Sequence, residues 1–319
     1  MQSFLDPAIL FFVFGMVAGL VKSNLEIPAS ISRFLSLYLL MALGLKGGFA
    51  LAESGLTSEV AVSLAAALVL ATVVPLMGYA LLCRFLNGYD AAAIAATYGS
   101  VSAVTFITAV QYLDTHAIDY GGHMAAAMAL MESPAIILAV VFANVVRQRE
   151  GGATTSPSMG KILHESVTDG AQLLLLGAML IGLLTGAAGE AVMKPFSVDL
   201  FKGMLAFFLL DMGLLAARNL GSLKGKSAWL LAYAILGPLV HAGMALCLGW
   251  ALGLSGGNVA LLMVLAASAS YIAVPAVIRH AIPEANPSLY FSMSLGLTFP
   301  FNILIGIPLY VSIAQLMGA

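Results

Sequence analysis

The chain has 319 residues, of which 61% are hydrophobic and 9% charged, with a mean hydropathy of +1.02; so little polar surface excludes a soluble globular protein. The net charge is -2 and the thirteen basic residues are scattered singly, which leaves no stripe to neutralise a run of phosphates and excludes nucleic-acid binding. The two cysteines, Cys83 and Cys247, lie in apolar segments without CxxC spacing and read as small packing residues.

At the N-terminus, Asp6 and Pro7 precede an apolar run with no Lys or Arg before it. The basic flank of a cleavable signal peptide is missing, so this run is expected to stay as a membrane helix. A hydrocarbon core of about 30 Å needs about 20 apolar residues per helix. Ten stretches qualify, near 7–21, 31–52, 60–84, 91–113, 124–147, 170–188, 199–218, 227–252, 257–281 and 287–316. With the N-terminus outside, Lys22, Arg33, Arg84, Arg147, Arg149, Lys161, Arg218, Lys224, Lys226 and Arg279 fall on the cytoplasmic side, and only Lys46, Lys194 and Lys202 outside. That bias sets orientation. The chain is expected in the plasma (inner) membrane, multi-pass, with both termini extracytoplasmic.

One long polar connector, rich in Gly, Ser, Thr and Pro, interrupts the apolar pattern. It divides the chain into a first five-helix repeat (1–147), a cytoplasmic connector (148–169) and a second five-helix repeat (170–319). An odd number of spans per half makes any repeat inverted. The halves correspond in order: LLMALGLKGGFAL (39–51) with FLLDMGLLAARNL (208–220), VVPLMG (73–78) with LGPLVH (236–241), GSVSAVTF (99–106) with ASYIAVPA (269–276), and SPAIIL (133–138) with FPFNIL (299–304). Inverted repeats are the architecture of many secondary carriers, with substrate held near the midplane where the repeats meet.

The fourth and ninth spans carry small polar residues at their middles: Thr97, Gly99, Ser100, Ser102 and Thr105 in one, Ser268, Ser270, Tyr271 and Pro275 in the other. Paired interruptions at equivalent places predict unwound backbone lining a polar site; the bland reading is close packing of small residues. Two broken helices crossing there would bring unpaired N–H groups and positive dipole ends to one point, so an anion can be held without Lys or Arg. Two carboxylates lie inside apolar runs, Glu132 and Asp211, and intramembrane acids are costly and usually functional. Glu132 precedes Pro134, whose missing N–H frees a carbonyl for a hard cation, and the matching place in the other half offers Thr298 and Asn302. Oxygen-only ligation suits sodium as a coupling ion; Asp211 and Thr298 are read as coupling or gating residues. Lys46 is expected to snorkel to water. Of the five histidines only His241 is clearly inside a span, and it reads as a packing residue. No HExxH, GxSxG or P-loop is present, so no enzyme activity and no cofactor are expected beyond sodium itself.

Through GSVSAVTF (99–106), MESPAII (131–137), MLIGLLTG (179–186), KPF (194–196), FKGMLAFFLLDMGL (201–214), LMVLAASASYIAVPA (262–276), PEANPSLY (283–290) and LTFPFNILIGIPLY (297–310), the chain resembles the sodium-dependent bicarbonate transporter family best known from cyanobacteria. The resemblance implies an all-α membrane fold of ten transmembrane helices as two inverted repeats with crossed broken helices. That fold is similar to bile-acid symporters and sodium/proton antiporters, with core and gate domains each drawn from both repeats. It also implies a homotrimer, sodium-coupled bicarbonate uptake, and a PII-like soluble regulator on the cytoplasmic face. Carried onto this chain, it places bicarbonate at Gly99, Ser100, Val101, Ser102, Ala269, Ser270, Tyr271 and Ile272, largely through backbone amides, and sodium at Thr97, Ser102, Thr105, Glu132, Ser268 and Asn302. A symporter of another small carboxylate is the main alternative, and a sodium/proton antiporter a lesser one, because no paired acids stand at the broken helices.

Overall fold

A computed structural model gives the structure of the protein and describes residues 6–55, 57–150, 168, 170–221 and 227–318. The described residues are largely helical, with no strand among them. Seven helical stretches among them are long and apolar enough to cross a membrane, joined by two shorter apolar helices, Pro7–Leu20 and Gly256–Ala267. Apart from Gln148–Glu150 and Thr168, the expected connector lies outside the described residues.

In chain order the helices are α1 (Pro7–Leu20), α2 (Ala29–Ser54), α3 (Ser58–Leu82), α4 (Gly88–Gly99), α5 (Ala103–Thr115) and α6 (Met124–Arg149). They continue as α7 (Gly170–Lys194), α8 (Phe201–Leu220), α9 (Ala228–Ala251), α10 (Gly256–Ala267) and α11 (Ala273–Ala281). Last comes α12, in which Pro287–Met293, Ser294–Thr298, Phe299–Phe301, Asn302–Gly306 and Ile307–Gly318 run on with two π-turns. Local chemistry starts several of them. Asp6 caps α1 by accepting from the Ala8 N–H at 2.8 Å, with Pro7 in the first position, where no N–H is needed. Asn87 caps α4 through the Asp90 N–H at 2.8 Å. The sixth expected span runs past residue 188 to Lys194, because Gly186 takes a positive φ of 52° that lets the chain bend without stopping.

Packing is paired across the halves. The helix α1 lies along α8 and α2 along α7, while α3 packs on α4 and α6, and α9 on α10. Glycines set the first two contacts. Gly44 and Gly48 of α2 face the α7 backbone, Gly182 of α7 would place a Cβ 2.6 Å from the Leu45 carbonyl, and Gly15, Gly19 and Gly213 do the same work between α1 and α8. Lipid supplies no hydrophobic force between helices, so such backbone contact is what holds them. The interrupted helices are the innermost elements: every residue from Gly257 to Tyr271 is buried, and from Ala91 to Val110 all but Ala103. Cys83 and Cys247 are exposed, against the packing role expected of them, since the inward faces of α3 and α9 are filled by Gly78, Leu82, Ala242 and Ala245.

Polar ties between the halves gather at the two ends of the bundle. At one end Arg147 grips Glu284 in a forked pair at 2.7 and 2.8 Å and donates to the Ala281 carbonyl at 2.9 Å. The guanidinium holds the Glu284 carboxyl below the usual carboxylate range. At the other end Glu59 accepts from the Ser255 N–H and from Asn258 Nδ2, both at 2.9 Å, and Asn258 Oδ1 accepts from the Gly121 N–H at 2.7 Å.

The glycine seam yields a direct check. Gly48→Val drives a side chain into the Met179 carbonyl and is expected to cost at least about 2 kcal/mol. Gly177→Val on the open face of the same seam should leave the thermal midpoint in detergent little changed, and equal midpoints for the two variants would contradict the packing described.

Candidate functional site

The chain leaves its helix between α4 and α5 and again between α10 and α11 because small polar residues there offer the backbone other partners. After Gly99, Ser100 and Ser102 adopt extended backbone, and the Ser102 hydroxyl caps α5 by accepting from the Thr105 N–H at 3.2 Å. Gly99 admits no larger residue, as a Cβ would lie 2.6 Å from the Pro75 ring. In the other half Ser268 is extended, the Ser270 hydroxyl accepts from the Val274 N–H at 3.2 Å, and α11 restarts with Pro275 in its first turn. The helices resume at Ala103 and Ala273, which are matched residues in the aligned strings GSVSAVTF and ASYIAVPA.

The two interruptions bond to each other. The Ser102 N–H donates to the Ser268 hydroxyl at 2.9 Å, and the Ser270 N–H donates to the Thr97 carbonyl at 2.8 Å. The helix α10 is tied down from behind: Asn302 Nδ2 donates to the Ala267 carbonyl at 2.8 Å, and Asn302 Oδ1 accepts from Tyr310 at 3.0 Å. A second strut uses Thr298. Pro238 cannot donate to the Ala234 carbonyl one turn earlier, so the Thr298 hydroxyl does so at 2.6 Å, and the Tyr98 hydroxyl donates to Thr298 at 2.6 Å.

A cavity of about 220 Å³ opens where the interruptions cross. Its walls include Val101, Ser102, Ser270, Tyr271 and Ile272 from the two breaks, Glu132 and Met128 from α6, Ser36 and Leu40 from α2, and Gln172 and Leu175 from α7. The starts of α5 and α11 point their N-terminal ends at it. The N–H groups of Ala103, Val104, Ile272 and Ala273 have no hydrogen-bond partner among the described residues, and first-turn N–H groups of this kind carry the positive end of the helix dipole. No Lys or Arg lines the cavity. Gln172 in the first turn of α7 donates to the Glu132 carboxylate.

A family model for the Na+-dependent bicarbonate transporter superfamily matches residues 7–315. The chain belongs to that superfamily. It is therefore a membrane transport protein of a sodium-dependent bicarbonate family. A comparison with curated proteins finds no match.

Of the residues that the family resemblance puts at bicarbonate, Val101, Ser102, Ser270, Tyr271 and Ile272 line the cavity, whereas Gly99, Ser100 and Ala269 are buried behind it. Of the sodium set, Ser102 and Glu132 reach the cavity. Thr97, Thr105, Ser268 and Asn302 are buried in the supporting layer, where the Thr97 carbonyl, the Ser268 hydroxyl and Asn302 hold the crossing together. The Ser100 and Thr105 hydroxyls are buried without a hydrogen-bond partner. Asp211 is buried on α8, outside the cavity wall, with Oδ2 unpartnered, next to Met212, whose sulfur accepts from Tyr271 at 3.6 Å. Thr298 serves the strut and is also away from the cavity. Sequence reasoning passed over Gln172 and Ser36. Gln172 is a polar residue just inside an apolar run, and its signal was masked by its closeness to the polar connector.

A second hollow, also about 220 Å³, lies farther along the same helices and is lined by Leu43, Lys46, Phe106, Tyr120 and Met124 among others. Leu43, Phe106 and Met124 on its wall and Met128 on the wall of the first cavity are all buried. Lys46, expected to snorkel to water, is part-exposed and pairs with Asp114 at 2.6 Å, and the Tyr120 hydroxyl donates to the same carboxylate at 3.0 Å. Burial pushes the Tyr120 phenol pKa up, so it stays a donor.

Ser268→Ala strips the Ser102 N–H of its acceptor. Leaving that buried donor unpaired is expected to cost about 1–3 kcal/mol and to lower the detergent thermal midpoint, with Ser268→Thr close to wild type. Equal loss in both variants would show that volume, and not the hydroxyl, matters there.

Proposed function

We propose that the protein carries bicarbonate inward with sodium by alternating access, through ten spans arranged as two inverted five-helix repeats. The observation that carries this reading is the mutual hydrogen bonding of the two chain breaks, which aims two helix N-termini at one cavity in a chain that matches the family almost end to end. The repeat arrangement is supported by the exchange of partners: α1 packs on α8 as α7 packs on α2, and α3 on α4 as α9 on α10. On this reading α4–α5 and α10–α11 each count as one broken span. The termini lie outside and the connector in the cytoplasm. The elements α1, α2, α7 and α8 form the gate and the remainder the core, and the homotrimer and PII-like regulator implied by the resemblance belong to the same proposal.

The energetics require coupling. A membrane potential of about 100 mV, inside negative, opposes entry of one negative charge by about 2.3 kcal/mol, so bicarbonate is not accumulated passively. One sodium per bicarbonate cancels that term and leaves the sodium gradient as the driving force. Free amide groups hold the anion with no fixed cation to break away from, which favours release as well as binding. Glu132 supplies the carboxylate for sodium, with hydroxyl and carbonyl oxygens of the breaks beside it. On this orientation Ser36, Gln172 and Val277 on the cavity wall lie toward the cytoplasmic ends of their helices, and the Lys46–Asp114 pair lies toward the outer side. With the connector taken as cytoplasmic, we read this arrangement as an inward-facing state.

A second reading, a sodium-coupled carrier of another small carboxylate, is favoured by the apolar share of the wall, Leu40, Met128, Ile136 and Leu175, which could take a short aliphatic tail. Uptake of labelled bicarbonate into proteoliposomes with a sodium or a potassium gradient tests the proposal. Sodium-dependent accumulation is expected, reduced at least about tenfold in Glu132→Gln. Accumulation indifferent to sodium would overturn the proposal, and strong competition by short-chain carboxylates would favour the second reading.

A further inference from the structure

Two ion pairs each stay within one group of helices. Lys202–Asp6 at 3.0 Å ties α8 to the start of α1, and Arg147–Glu284 at 2.7 Å ties α6 to the turn before α12. Lys46–Asp114 joins the groups, because α2 belongs to the gate and α5 to the core. Each partner is also held from behind by its own group. Lys46 Nζ lies 5.4 Å from the centre of the Phe201 ring on α8, close enough for the ring face to attract the cation. On the other side the Tyr120 hydroxyl donates to Asp114 Oδ1 at 3.0 Å while Lys46 takes Oδ2 at 2.6 Å. The turn that carries Tyr120 is seated on α10: the Gly121 N–H donates to Asn258 Oδ1 at 2.7 Å, and a Cβ on Gly257 would run into the Asp119 carbonyl. Next to the pair, Gly47 and Gly122 bring α2 and this turn into backbone contact, since a Cβ on Gly47 would lie 2.7 Å from the Gly122 carbonyl. Glycine against glycine closes a seam tightly but interlocks no side chains, so the directional tie across it is the ion pair.

We propose that Lys46 and Asp114 form a latch that holds the outer side of the two groups shut, and that this latch opens before the cavity can be reached from outside. This inference rests on the reading of α1, α2, α7 and α8 as one moving body and of α5 as part of the other. The helix α5 connects latch and site: it begins at the Ser102 break and carries Asp114 twelve residues on, about 18 Å along its axis. A shift of the core that re-aims the break therefore draws Asp114 away from Lys46 in the same movement. The pair suits a reversible latch. Its side chains are 23% and 31% exposed, so water solvates the charges as they part, and such pairs contribute only modestly. A fully buried pair would be far costlier to separate and would hold the carrier in one state. Glu53, two turns on from Lys46 along α2, and Glu190 of α7 line the same hollow and offer Lys46 acidic partners within its own group once Asp114 has gone.

The test uses full-length protein in lipid nanodiscs, with Cys83 and Cys247 replaced by alanine and spin labels at Ser54→Cys on α2 and Ala117→Cys just after α5, both exposed positions. Pulsed dipolar spectroscopy then reads the separation of the two groups on the outer side, with or without transport, at sodium and bicarbonate concentrations where the otherwise wild-type protein shows both populations. Lys46→Met and Asp114→Asn should each raise the ratio of separated to closed molecules about fivefold. The double variant should raise it no further than either alone, because both changes remove one interaction. Single-variant ratios equal to wild type, in protein whose distances do respond to sodium and bicarbonate, would overturn the latch alone, and so would shifts that add in the double variant. Distances that respond neither to those ions nor to any variant would overturn the two-body reading, and the inference with it.

Discussion

Everything in the site depends on two backbone interruptions satisfying one another. A peptide N–H or C=O left bare at membrane depth costs several kcal/mol, so a single broken helix there would be unstable. Here the Ser102 N–H finds the Ser268 hydroxyl and the Ser270 N–H finds the Thr97 carbonyl. Each break is tolerable because the other exists. The surrounding layer serves that crossing: Asn302 holds the end of α10, Thr298 repairs the carbonyl left bare by Pro238, and Gly99 lets the Pro75 ring close over the first break.

The crossing satisfies some backbone groups and leaves others pointing inward, and in the proposed function those remaining groups are the chemical resource. First-turn N–H groups of α5 and α11 offer partial positive charge fixed by the fold, in a cavity without Lys or Arg. Beside them stands one carboxylate. A site with amide donors on one side and oxygen acceptors on the other can take an anion and a small cation together, each lowering the cost of the other's charge. The polar ties at the ends of the bundle, Arg147–Glu284 and Glu59–Asn258, lie apart from this centre and bear on how the halves meet.

Much of this was legible in the sequence, and for physical reasons. Small polar residues inside apolar runs are rare enough that Gly99–Ser102 and Ser268–Tyr271 stood out, and the helices restart at the two alanines that the string comparison aligned. Glu132 was visible because an acid in lipid needs a purpose. What could not be read was depth and direction. Thr97, Thr105, Ser268 and Asn302 are buried around the crossing and not on the cavity wall, a placement that depends on which way each helix faces. Gln172 escaped notice because its importance comes from Glu132, forty positions away in sequence. The partner of Lys46 was not legible, since no periodicity places Asp114 within its reach. The cysteines were misassigned for the same reason, because an apolar window does not say which side of a helix meets lipid.

The most direct test of the account is a magnetic-resonance measurement of dipolar contact between carbon-13 bicarbonate and nitrogen-15 backbone amides, made on the protein in lipid with sodium present. The account predicts contacts to amides at the starts of α5 and α11, among Ala103, Val104, Ile272 and Ala273, which vanish when potassium replaces sodium. Bicarbonate held instead beside Lys46, with no contact to either break, would contradict it.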